Sequence, residues 1–268
     1  MERCYYLQCR SVWVPLQSKF LYILILDANS LGNHAQGVAL SGSHLGIPCT
    51  IVMPSGTPSI KVRNVARMGA KTILHGADFD EAKAECARLA KLHGLAFVPP
   101  YDDPLVIAGA GTVGLEIMED VPGVDTIVVS CGGGGLVSGI AAACVPAGVR
   151  VVAVEPERSN ALALGLAAGK PVPVTPETIA DALTAPFTGQ RPIEICGALG
   201  VEVVLVSEDE IREAFRFLYT RAKLAAEPGA AVATAAVLTG KVEGATLVSV
   251  VSGGNVSTDI ASATLAAP

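Results

Sequence analysis

The chain reads as an α/β protein with two lobes, each a mainly parallel sheet flanked by helices. Three observations predict this. From residue 22 onward, short β-branched uncharged runs alternate with longer stretches of helical period. That strand–helix–strand rhythm is the signature of βαβ units, whose crossovers make neighbouring strands parallel. Glycine is abundant (28 residues) and aromatics are few (4%), as suits tight strand-to-helix turns.

In order, residues 22–26 form an apolar strand. Residues 33–46 predict a helix that stops at Gly46, with Pro48 just beyond. A strand over 49–53, a helix over 59–69 and a strand over 71–75 follow. The helix over 78–94 opens on Asp78 with Glu81 three residues on, a capping box. A short strand over 96–98 closes against Pro99-Pro100. A helix over 105–119 carries Gly109, Gly111 and Gly114, and a buried strand over 126–130 empties into Gly132 to Gly135. Residues 136–144 are helix-compatible and 150–154 read as a strand. The stretch 170–192, rich in Pro, Thr and Gly, reads as loop. A strand over 201–206 leads into the capping box Ser207-x-x-Glu210 and a helix running to about 225. A helix over 228–239 starts on proline, and the last strand spans 246–251. The predicted division is a divergent N-terminal segment over 1–23, a small lobe over 24–102 and a large lobe over 103–268.

At 268 residues, 51% hydrophobic and 16% charged, the chain can bury one large core or two smaller ones. A net charge of −6 with no Lys/Arg cluster excludes a nucleic-acid surface. No run reaches the ~20 apolar residues of a spanning helix, which predicts no membrane partner. The run over 20–26 has no clean cleavage site after it, because Asp27 intervenes. Seven dispersed cysteines without a C-x-x-C pair predict reduced thiols and a cytoplasmic protein, not a disulfide framework or a zinc site.

The chemistry concentrates in three turns, each after an apolar strand: Ser30 to Gly37, Gly132 to Gly135, and Ser252-Gly253-Gly254-Asn255. Four glycines between a strand and a helix present main-chain N–H groups at a helix N-terminus, a cup for a phosphate. Without Cβ atoms the backbone can approach the ligand closely. In parallel sheets ligands sit beyond the carboxyl ends of strands, so the three turns can share one cleft. Together they call for a small, phosphorylated, partly polar ligand. A nicotinamide dinucleotide fits less well. The G-x-G-x-x-G pattern fails at Ser138, although Glu155 stands twenty residues after Gly135, and two of the three turns are left unexplained.

In this order the turns resemble those of the threonine/serine dehydratases, pyridoxal-phosphate enzymes with the fold of the tryptophan synthase β subunit. The matching stretches are S-L-G-N-H-A-Q-G at 30–37, H-L-G-I-P at 44–48, I-V-M-P at 51–54 and D-D-P-L-V-I-A-G at 102–109. The series continues with G-T-V-G-L-E at 111–116, G-G-G-G-L-V-S-G at 132–139, A-E-P at 226–228 and S-G-G-N at 252–255. The resemblance implies pyridoxal 5'-phosphate as cofactor, held by Gly132, Gly133, Gly134, Gly135 and the Leu136 amide at its phosphate. It implies Asn33 at the ring hydroxyl and Ser252 at the pyridine nitrogen. Ser30, Asn33 and His34 would receive the substrate carboxylate, where a helix dipole favours an anion. The competing assignment for His34 is a helix-surface histidine. The implied reaction is β-elimination from L-threonine or L-serine, giving 2-oxobutanoate or pyruvate and ammonia. The implied assembly is a homo-oligomer, dimeric or tetrameric, with a small amino acid as substrate.

Some positions depart from the family pattern. Its imine-forming lysine lies in S-F-K-x-R-G-A, well before S-x-G-N-H, and no stretch here matches. Lys19, in Gln17-Ser18-Lys19-Phe20 and eleven residues from Ser30, is the one candidate. A truncated or catalytically impaired homologue that binds the cofactor non-covalently is therefore the alternative. Leu31 stands where racemising relatives use a proton-transferring serine, which disfavours a serine racemase-like activity. Those relatives also bind a divalent cation. Glu155 matches one ligand, but Ala161 stands near the other, so no metal is expected. Glu155 is then a strand-end carboxylate in solvent or in a salt bridge.

Overall fold

The structure is a computed structural model that describes residues 23–26 and 33–266. The segment over 1–22, with Lys19, and the turn residues Ser30 and Leu31 lie outside the described residues.

Four strands, β1 (Ile23–Leu26), β2 (Cys49–Met53), β3 (Lys71–Leu74) and β4 (Ala96–Phe97), form a parallel sheet in the order β3-β2-β1-β4. Between them run α1 (Asn33–Leu45), α2 (Ser59–Arg67) and α3 (Phe79–His93). Alternation along β2 sends Ile51 and Met53 to one face and Val52 to the other. The first pair packs with Ala35, Val38, Val65 and Val98, whereas Val52 packs with Ala82 and Cys86 of α3. Asp78 caps α3 by accepting the Glu81 N–H, and Gly94 ends it in the left-handed conformation.

The second sheet follows α4 (Pro104–Asp120). Its elements are β5 (Thr126–Ser130), α5 (Gly135–Cys144), β6 (Arg150–Pro156), α6 (Ala161–Ala168), α7 (Gln190–Ala198), β7 (Glu202–Val206), α8 (Glu208–Phe217), α9 (Pro228–Leu238), β8 (Leu247–Ser249) and α10 (Thr258–Ala266). The strands are parallel in the order β7-β6-β5-β8. Every residue of β5 is buried, as a parallel strand covered on both faces must be. Ile127 and Val129 pack with α4 and α5, and Val128 packs with α8 and α9. The α4–α5 contact is close enough that a Cβ on Gly139 would lie 2.3 Å from the Ile107 carbonyl oxygen. This is what the glycines of both helices permit.

Several elements differ from the sequence expectation. Strand β6 extends to Pro156 and β8 stops at Ser249. The capping box at Ser207 and Glu210 forms, but α8 ends at Phe217 and passes into a π-helical turn, Leu218–Ala222. Lys223, at φ +61, then turns the chain. Residues 170–189 are largely irregular, with a single 3-10 turn at Asp181–Leu183, and α7 begins before the expected loop ends. Helices α6, α7 and α10 carry no expectation from sequence.

Glu155 is a correction. It lies in neither solvent nor a salt bridge: it is fully buried, and its carboxylate accepts the N–H groups of Leu162 (2.8 Å) and Ala163 (2.9 Å), capping α6 from β6. Among the described residues, no group of three or more His, Cys, Asp or Glu could hold a metal ion. No helix among them is long and apolar enough to cross a membrane. The five described cysteines are free and buried.

Candidate active site

Strand β5 ends at Ser130, and the chain crosses Gly132 to Gly135 directly into α5. Gly134 sits at φ +91 as N-cap, with no side chain capping the helix and no acidic residue in its first turn. The helix thus presents main-chain donors and its positive dipole end with no carboxylate of its own there to compete. The cup is walled closely. A Cβ on Gly133 would lie 2.2 Å from the Tyr101 ring, and one on Gly135 2.9 Å from the Tyr101 Cα. On Gly134 it would meet Pro192 at 2.6 Å and Thr188 at 2.8 Å, and on Gly132 the Leu183 Cα at 3.1 Å. At each of the four positions a side chain would press on these neighbours, so the turn needs glycine throughout. Tyr101 meets Phe187 edge-on at 6.4 Å between ring centroids, and burial pushes its hydroxyl up to about 12, so it stays protonated at neutral pH.

The other two turns meet through a residue that the sequence reading assigned no role. Glu227, 3% exposed at the start of α9, accepts from Asn33 Nδ2 at 2.6 Å and from the Asn255 main-chain N–H at 3.0 Å. Its own N–H donates to the Gly253 carbonyl. Gly253 must be bare, because a Cβ there would lie 2.3 Å from Glu227 Oε1 and 2.8 Å from Asn33 Nδ2. Burial raises the Glu227 carboxyl above its ordinary value, and the Asn33 hydrogen bond opposes that shift. Asn33 and the 252–255 turn are therefore fastened together. The cup adjoins them through the Asp181–Leu183 turn: Leu183 backs Gly132, and Ala182 lies 3.1 Å from a Cβ on Gly229. The N-termini of α1 and α5 and the 252–255 turn are thus drawn together through Glu227 and the Asp181–Leu183 turn. A turn of main-chain donors at the head of α5, with the Asn33 amide joined to it through Glu227 and the Asp181–Leu183 turn, fits pyridoxal phosphate in its donor chemistry.

His34 is not a free surface histidine. Its Nε2 lies 3.2 Å from the Val98 carbonyl, an acceptor only, so Nε2 carries the proton and donates. Burial holds its pKa below the ordinary value, the Val98 bond offsetting part, and the ring is neutral at pH 7. Ser252 is exposed, just beyond the end of β8. Asp102 opens the D-D-P-L-V-I-A-G stretch. Its carboxylate accepts the main-chain N–H groups of Gln190 and Arg191, each at 3.2 Å, capping α7 and bracing the wall of the cup.

Comparison with known proteins agrees with this geometry. Residues 22–253 match the family described as pyridoxal-phosphate dependent enzymes. The L-threonine dehydratase catabolic TdcB of Escherichia coli (strain K12) is 42% identical over 236 residues, which is 85% of this chain and 72% of that protein. Among solved structures, the processed form of threonine deaminase isoform 2 from Solanum lycopersicum superposes with a TM-score of 0.85 at 32% identity, covering 93% of this chain and 74% of that one. Maize serine racemase superposes with a TM-score of 0.82 at 34% identity, covering 88% and 74%.

Proposed function

Because the chain belongs to the pyridoxal-phosphate dependent enzyme family, we propose that it converts L-threonine or L-serine to 2-oxobutanoate or pyruvate and ammonia. The observation that carries this is the joining of three strand-end turns through Glu227 and the Asp181–Leu183 turn. Bound pyridoxal phosphate supplies an electron sink for the pair left on Cα when its proton departs. Everything else falls to the chain. The main-chain N–H groups of Gly132 to Leu136 hold the phosphate at the α5 dipole. Asn33, fixed by Glu227, meets the ring hydroxyl. Ser252 meets the pyridine nitrogen, and as a neutral hydroxyl it leaves that nitrogen largely unprotonated. Ser30 and the N-terminus of α1 take the substrate carboxylate. The His34 ring is spent on Val98, so its share there falls to its main-chain N–H. Leu31 has no proton to transfer, which separates this chain from racemising relatives. Lys19 is the candidate amine for the Cα proton. The division into a small lobe over 24–102 and a large lobe over 103–268, a homo-oligomeric state and a cytoplasmic location belong to the same proposal.

A second reading is a homologue that binds the cofactor without turnover. Supplying pyridoxal phosphate and L-threonine and following 2-oxobutanoate and ammonia together separates the two. Equimolar formation of both products supports the lyase. Cofactor uptake with threonine unconsumed supports the second reading. Borohydride reduction and peptide mapping then name any lysine attached to the cofactor.

A further inference from the structure

The tetraglycine meets its wall through carbonyls. Thr188 is fully buried, and its Oγ1 donates to the Gly132 carbonyl at 3.3 Å. The next residue does the same from its main chain, where the Gly189 N–H donates to the Gly133 carbonyl at 3.2 Å. The Cys131 thiol, at 3.6 Å, is a weak second donor to Gly132. The N–H groups of Gly132 to Leu136, by contrast, have no acceptor among the described residues. The wall is itself held from several directions. The Leu183 carbonyl accepts from Ser159 Oγ at 2.8 Å. Asp181 pairs at 2.9 Å with the ammonium of Lys61 on α2, a residue only 6% exposed. Just past Gly189, Asp102 caps α7, and a Cβ on Gly189 would lie 2.7 Å from the Asp102 Cβ.

A peptide unit is planar and trans, so its N–H points opposite to its C=O. Holding the Gly132 carbonyl therefore aims the Gly133 N–H away from the wall, and holding the Gly133 carbonyl does so for Gly134. Glycine lacks the Cβ that restricts other residues, so an unheld unit can rotate and put a carbonyl where a donor is needed. We propose that Thr188 is a positioning residue of the phosphate site: its hydroxyl pins the Gly132–Gly133 peptide with the Gly133 N–H turned to the ligand, beside the Gly134 N–H that Gly189 holds in the same sense. The two anchors differ in kind. Gly189 acts through its main chain and tolerates no side chain, whereas Thr188 acts through a hydroxyl that a substitution can remove alone. The Thr188 Cγ2 packs on the far end of the turn, 2.8 Å from a Cβ position on Gly134, so one side chain sets both the aim and the closeness of the wall. A donor fixed before the ligand arrives needs no ordering when it binds, and the affinity gained is that saving. The role rests on the phosphate reading of the cup proposed above.

The test is isothermal titration calorimetry of the full chain with pyridoxal phosphate and with pyridoxal, which lacks the phosphate. Thr188→Val keeps the shape and the Cγ2 contact and removes the donor. It is expected to bind pyridoxal phosphate about tenfold more weakly, the loss of about one charge-assisted hydrogen bond, and pyridoxal as the wild type does. Thr188→Ser keeps the hydroxyl and is expected to preserve the wild-type ratio of the two affinities. A structural role alone would weaken both ligands in Thr188→Val by the same factor, and that result overturns the proposal. Should Thr188→Val fail to fold, Thr188→Ala against Thr188→Ser, a pair that differs by the hydroxyl alone, decides on the same ratio. A wild-type preference for pyridoxal phosphate that survives Thr188→Val undiminished overturns the role of Thr188 and leaves the cup standing. A wild-type chain that binds both ligands equally overturns the phosphate reading, and the role of Thr188 with it.

Discussion

Gly134→Ala tests the tetraglycine cup where its geometry is most demanding. The position needs φ +91, which costs an L-residue roughly 1–2 kcal/mol. The new methyl would also lie 2.6 Å from the Pro192 Cβ and 2.8 Å from the Thr188 Cγ2. Neither neighbour is a flexible chain end: one is a proline ring, the other a buried β-branched residue. Overpacking of this kind adds roughly 1–3 kcal/mol. The total, about 2–5 kcal/mol, lowers the melting temperature by about 4–20 °C in a chain of this size. Gly148→Ala separates the two contributions, since Gly148 sits at φ +85 with nothing within 4 Å of its Cβ position. It should show only the backbone cost. Adding Thr188→Ser to Gly134→Ala removes the Cγ2 contact while keeping the hydroxyl, and should recover part of the loss. Thermal unfolding followed by circular dichroism reads all four proteins. If Gly134→Ala melts no lower than Gly148→Ala, the packing of the cup described above is wrong.

Glu155 predicts a pH dependence of stability. Burial pushes its carboxyl from an ordinary 4.5 up to about 7, although the two main-chain donors pull the other way. Between those values the folded chain keeps a proton that the unfolded chain has released. Its contribution to stability therefore falls as pH rises through this window, by roughly 3 kcal/mol in all. Urea unfolding at intervals from pH 4.5 to 8 should show this slope in the wild type and lose it in Glu155→Gln; equal slopes would refute the assignment. Asp102→Ala strips α7 of its remote cap and should cost about 1–2 kcal/mol, lowering the melting temperature by several degrees. Asp102→Asn, which keeps one accepting oxygen, should fall between the two proteins, and a wild-type melt for Asp102→Ala would show the cap to be idle.

The helices that sequence reasoning missed share a physical cause. Both α6 and α7 lack a side-chain cap of their own, at Asn160 and Gly189. Their N-terminal donors are met by Glu155 from the preceding strand and by Asp102 from 88 and 89 residues away. Residues 161–168 are also apolar on all sides, so no helical period shows. By contrast, α3 carries its Asp78 cap and α8 its capping box within the sequence, and both are legible at their starts, although at α3 Glu81 accepts from the Ala77 N–H and closes no box on Asp78. The tetraglycine was legible for the same reason, since strand, turn and helix are contiguous. Asn33 could be singled out from its motif, but its partner Glu227 lies 194 residues away. The Lys61–Asp181 pair, spanning 120 residues, leaves no local pattern at all. A deeply buried lysine on an otherwise polar helix becomes visible only once the two sheets face each other.

The most direct measurement compares pyridoxal phosphate with pyridoxal by isothermal titration calorimetry on the wild-type chain. Two or more charge-assisted hydrogen bonds from the Gly132 to Leu136 main chain to the phosphate predict that pyridoxal phosphate binds at least about a hundredfold more tightly. Equal affinity for the two, or no binding of either, would contradict a phosphate cup at the head of α5.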